Sequence, residues 1–204
     1  MLNFTLETDP EVVLIALRPL LIPVYEALEQ AVPKAVQIVG EYGWDNTGHL
    51  VSHLTRAEVK KLLKDQPFPI NVDEIPHAVA MENVAMEGLL TKFGGVAVRI
   101  LKGSEIPKAT TEPRRAFYQH FNPNLWVDGV VPPLRVLLVL WDCSDEGTNL
   151  RLQLCCTKDS ACKDYWMTPV PHPADWMIIE KEGPSRSDDL DDLFEDDKRK
   201  ESEN

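Results

Sequence analysis

Leu2, Phe4 and Leu6 alternate with Asn3, Thr5 and Glu7, which is the period of a half-buried strand. The period then changes. Thr8-Asp9-Pro10-Glu11 has the form of a capping box: a Thr oxygen to accept a backbone N–H, a proline where a missing donor does no harm, and Glu at the third helical position. Behind it Val13, Leu17, Leu20, Leu21, Val24 and Leu28 recur at helical spacing. Pro19 and Pro23 each remove a hydrogen bond inside that run. The pattern predicts two short helices or one kinked helix, ending before Pro33 or near Gly40.

Residues 41–48 read as a loop by composition. Thr55-Arg56-Ala57-Glu58 is a second capping box, predicting a helix with Val59, Leu62 and Leu63 inside and Arg56, Lys60, Lys61 and Lys64 outside, stopped by Pro67 and Pro69. A third helix is expected from about Asp73, with Ile75, Val79, Met86, Leu90 and Phe93 as its stripe and a stop at Gly94-Gly95.

From there the chain turns to strands. Val96, Val98 and Ile100 alternate up to Gly103, and residues 112–121 predict a short helix. Residues 134–141 are apolar nearly throughout, as a central strand covered on both faces requires. Leu150, Leu152 and Leu154 alternate with Arg151 and Gln153, and residues 144–148 form a hairpin loop between the two. Residues 165–167 and 176–179 are the last predicted strands. Four of the five tryptophans fall between Trp126 and Trp176, so the core should be heaviest there.

Segregated helices and strands imply an α+β fold: N-terminal helices packed on a mostly antiparallel sheet formed largely by the C-terminal half. Residues 1–182 read as one globular domain and 183–204 as a disordered acidic tail.

Composition refines this reading through charge. The 204 residues carry 21 Lys and Arg against 33 Asp and Glu, a formal net charge of -12. Residues 183–204 hold nine acidic and four basic side chains, so a disproportionate share of the acidity belongs to the tail. An acidic body disfavours non-specific nucleic-acid binding unless one face concentrates positive charge, and it disfavours an anionic membrane surface. No basic n-region opens the sequence, and the apolar stretch 12–24 is too short to span a bilayer, so the cytoplasm is the expected compartment. Cys143, Cys155, Cys156 and Cys162 are then expected as reduced thiols.

The common catalytic and cofactor signatures are missing from the sequence, which favours a non-enzymatic protein acting through a protein partner, with no cofactor or metal. The alternative enzyme reading puts a site near Asp142, Cys143 and His172, where strand ends gather a carboxylate, a thiol and an imidazole. His49 and His53 stand at i, i+4 and would share a helix face, but no third metal ligand lies near them in sequence. Two basic segments resemble nucleic-acid contacts: the helix from Arg56 to Lys64, and Arg114, Arg115, Phe117, Tyr118, His120 and Phe121, where cations interleave with rings. Solvated or packing faces explain each of them separately.

Within the tail, Leu190, Leu193 and Phe194 stand at i, i+3, i+4 among carboxylates. On a helix they form one apolar stripe suited to a partner's groove, so these three are the expected partner-binding residues. Asp192-Leu193-Phe194 also resembles the end of the bacterial sliding-clamp peptide, roughly Q-L-[SD]-L-F. Leu190 stands where that peptide has Gln and Asp191 where it has its first Leu. The resemblance implies a replication or repair accessory factor.

Overall fold

The computed structural model describes residues 4–43, 48–64, 81–83, 88–93, 95–120, 134–144 and 146–176. Two compact units are present, Met1–Val170 and Pro171–Asn204. All helices and strands named below belong to the first. In the second, His172 caps a single 3-10 turn, Pro173–Asp175, by accepting the Ala174 N–H on Nδ1 at 3.1 Å.

Helix α1 spans Pro10–Glu41 without interruption. Its N-cap is Asp9, whose side chain accepts the Glu11 N–H at 2.9 Å. Thr8 is not the cap, because its hydroxyl accepts the Thr5 N–H instead. Among the described residues before it there is no strand beyond an isolated bridge at Thr5, with the Phe4 carbonyl accepting the Leu134 N–H at 2.8 Å. Pro19, Pro23 and Pro33 all lie inside the helix, so the expected break does not occur. Each interior proline costs about 3 kcal/mol of helix stability. Burial offsets that cost: Leu17, Leu20, Leu21, Val24 and Leu28 are at most 1% exposed, and each such side chain contributes about 1.5–3 kcal/mol.

Helix α2 spans Gly48–Lys64 and starts seven residues before the expected box. Thr55 is mid-helix and buried, so it caps nothing. The two helices form a hairpin around Ala35, Val39 and Val51. Lys34 Nζ donates to Glu58 Oε1 at 2.8 Å across it, and this hydrogen bond holds the Glu58 carboxyl below its ordinary value.

Among the described residues six strands follow: β1 Met81–Asn83, β2 Leu89–Phe93, β3 Val96–Lys102, β4 Val136–Asp142, β5 Arg151–Thr157 and β6 Tyr165–Pro169. They lie in chain order, antiparallel at every pairing except β3 with β4. Parallel neighbours need a crossover, and helix α3, Glu112–Tyr118, lies within the one that joins them. The fold is therefore α+β with a mostly antiparallel sheet, as the segregation of helices and strands predicts.

Where a third long helix was expected, residues 81–83 and 89–93 are strands. Leu89, Thr91 and Phe93 pair with Ile100, Val98 and Val96, and all six are buried. A neighbouring strand offers these residues a hydrogen-bonded ladder and a buried face, which outweighs the helical spacing of Met86, Leu90 and Phe93. Gly95 adopts φ 94° in the turn between β2 and β3 and stops no helix. Residues 73–80 and 84–87 of the expected helix lie outside the described residues.

Both faces of the central strands are buried. Leu137, Val139 and Trp141 of β4 share one face with Val98 and Ile100 of β3 and with Leu152 and Leu154 of β5, all at most 2% exposed. Helix α1 is tied to the sheet at β5, where Tyr25 Oη donates to the Leu150 carbonyl at 3.1 Å. The opposite face carries Leu101, Leu138, Leu140 and Cys155 and packs under Tyr118 and Ala109.

Candidate functional site

A cavity of about 660 Å3 opens between α2, the start of β2, the end of β3 and α3. Its floor is apolar, formed by Leu101 and Leu140. Its walls are cationic.

Helix α2 contributes His49, Ser52, His53 and Arg56, which a helix stacks on one side because they repeat at three- and four-residue spacing. Gly48, the first residue of the helix, lines the cavity as well, and the first turn carries no acidic residue. Strand β3 contributes Arg99 and Lys102. Lys102 Nζ lies 3.6 Å from the position a Cβ on Gly48 would take, which brings the strand end to the helix start.

Arg99 is only 5% exposed. Its Nη1 donates to Tyr118 Oη at 3.2 Å, and its guanidinium lies 5.3 Å from the Phe117 ring centroid. Burial raises the Tyr118 phenol above its ordinary value, against the lowering pull of Arg99, so Tyr118 is a neutral partner. Two α3 side chains thus hold Arg99 rigidly in the cavity wall. Arg114, from the same helix, completes the cationic set, and among the described residues Glu105 is the one carboxylate lining the cavity.

Three features that look separate in the sequence therefore meet here: the His49/His53 pair, the first cation of the basic helix, and Arg114 with Tyr118. Arg99 and Lys102 are the residues the sequence reading missed. Arg99 occupies the inward-facing register of β3 between Ala97 and Leu101, and a charge at an inward position of an otherwise apolar strand was the available signal.

Other expected sites fare differently. Asp142 and Cys143 line a smaller cavity of about 180 Å3 with Ser144, Asn149 and Arg151, and Asp142 pairs in register with Arg151. His172 belongs to the second unit. Leu190, Leu193 and Phe194 lie outside the described residues. No disulfide joins the four cysteines. Burial pushes the Cys155 and Cys156 thiols up to about 12 and the Cys162 thiol up to about 11, so all three are neutral at pH 7. Among the described residues no group of three or more His, Cys, Asp or Glu could hold a metal ion.

Cys156 Sγ stands 4.0 Å from His120 Nε2, but this is not a nucleophile and its base. His120 Nδ1 accepts the Arg135 N–H at 3.1 Å, which leaves Nε2 as the donor to the Thr157 carbonyl at 2.6 Å. The ring is neutral and fully engaged. Burial lowers its pKa, the Thr157 contact opposes the shift and the positive Arg135 adds to it. A lowered folded value means that the stability His120 contributes is present above its unfolded value, about 6.5, and is lost as pH falls below it. Thermal melts between pH 7.5 and 5 are expected to show falling stability, with His120 contributing no more than about 1.4 kcal/mol per pH unit. His120→Gln should melt lower at pH 7.5, by about 1–3 kcal/mol, with a flatter slope. An unchanged slope would assign the pH dependence to other groups.

No protein-family model, no curated protein and no solved structure matches the chain.

Proposed function

We propose that the protein is a binding module that captures an anionic group in the cavity between α2, β3 and α3. The observation that carries this reading is the meeting, among the described residues, of four permanent cations, Arg56, Arg99, Lys102 and Arg114, with one carboxylate in a protein of net charge -12. Guanidinium groups offer forked donors that match phosphate and carboxylate oxygens, and such charge-assisted bonds are about twice as strong as neutral ones. The low-dielectric floor of Leu101 and Leu140 strengthens them further. A volume of about 660 Å3 suits a group of ligand size rather than a lone ion.

Isothermal titration calorimetry with pyrophosphate tests this reading. One saturable site per chain is expected, with affinity falling as ionic strength rises. No saturable heat from pyrophosphate, phosphate or citrate at low salt would contradict it.

A further inference from the structure

We propose that the anionic group belongs to a protein: an acidic segment bearing one phosphorylated side chain, with the phosphate in the cavity and the flanking carboxylates laid along α2. This rests on the reading of the cavity as an anion site and adds an observation from outside it. His49, His53, Arg56, Lys60 and Lys64 follow one another at spacings of four, three, four and four residues. At 100° per residue they stay within a face about 80° wide; about 12 Å of it, from Arg56 to Lys64, lies beyond the residues that line the cavity, and the whole stripe is about 22 Å long. Val51, Thr55, Val59 and Leu63 take the neighbouring, buried face. Glu58, the one acidic residue of α2, is turned away from the stripe toward Lys34. The stripe thus carries no carboxylate of its own helix, and Lys64 at its far end is exposed.

An extended peptide spans that length in about seven residues. Arg56, Lys60 and Lys64 offer such a peptide three permanent cations on one helix face, and the cavity at its end adds Arg99, Lys102 and Arg114, the denser cluster that a dianionic phosphate needs. A nucleic-acid strand fits less well. Single-strand sites present large aromatic faces on which bases stack, and α2 has no Phe, Tyr or Trp. The net charge of -12 also opposes a dense polyanion at long range, whereas a short peptide interacts within a Debye length of the local cations.

Fluorescence anisotropy on the full chain tests this with three probes: an Asp- and Glu-rich peptide of about twelve residues with a central phosphoserine, the same peptide with serine, and a single-stranded oligonucleotide of equal length. The phosphopeptide is expected to bind at least about tenfold more tightly than either of the others. Lys60→Glu with Lys64→Glu should weaken the phosphopeptide about tenfold or more while leaving pyrophosphate affinity within about twofold. An oligonucleotide that binds as tightly as the phosphopeptide, or a double variant that binds the phosphopeptide unchanged, would overturn this inference while pyrophosphate binding stands. Loss of wild-type pyrophosphate binding itself would overturn the anion site as well.

Discussion

Replacing Arg56 and Arg114 together by Glu is expected to lower pyrophosphate affinity by at least about 100-fold while the protein stays folded. Among the described residues, the two substitutions turn an excess of three positive charges among the permanently charged side chains of the cavity into a deficit of one. Each charge-assisted hydrogen bond is worth about 1.5–3 kcal/mol, so two lost bonds account for the factor before any repulsion is added. Both side chains are only partly buried, so the apolar core does not depend on them. Arg99 would be a poorer choice for this test. It is buried against Phe117 and Tyr118, and its removal would disturb packing and binding together. Calorimetry reads the affinity, and circular dichroism reads the fold.

The second large effect is on stability. Gly88→Ala is expected to destabilise the protein by about 3 kcal/mol or more and to weaken anion binding as well. Gly88 has φ 131°, a conformation open to glycine and strained for any side chain. A Cβ there would stand 2.5 Å from Leu101 Cδ2 and 2.8 Å from the Ile100 carbonyl oxygen. The leucine can turn aside, but the carbonyl belongs to β3, so the start of β2 would have to move away from its partner strand. Gly88 and Leu101 both line the cavity, which ties this backbone position to the site. Urea unfolding measures the change. A Gly88→Ala midpoint equal to that of the wild type would show that β2 and β3 are not held in this register.

What could be read in the sequence follows from where a single physical signal dominated. Residues 134–141 and 150–154 announced their strands because alternation and continuous apolarity have no competing helical reading over so short a span. The start of α2 was misread because Thr55-Arg56-Ala57-Glu58 imitates a cap. Leu50, Val51 and Leu54 extend the apolar spacing of Val59 and Leu63 back past it, and they pack with Ala35 and Val39. The unbroken α1 was hidden because propensity condemns interior prolines, whereas long-range burial decides the outcome. The strands β1 and β2 were hidden because Met86, Leu90 and Phe93 fit the helical spacing while Leu89, Thr91 and Phe93, the strand's buried face, include a polar residue, and the β3 partner that decides between them is a tertiary fact.

The site itself was legible only in fragments. His49 and His53, Arg56, and Arg114 with Tyr118 each stood out locally, and each had an adequate local explanation. Their meaning comes from three separate elements converging on one cavity, which no spacing along the chain encodes. The net charge pointed away from anions, because it averages an acidic tail with a body whose positive charge is partly gathered in one place.

The most direct test of the anion site is to locate pyrophosphate on the protein by residue-resolved NMR titration. Saturable shifts are expected at Arg56 on α2, Arg99 and Lys102 on β3 and Arg114 on α3, with β5 and β6 unmoved. Shifts scattered over the lysines of the surface, or none at these four residues at saturating ligand, would contradict the account.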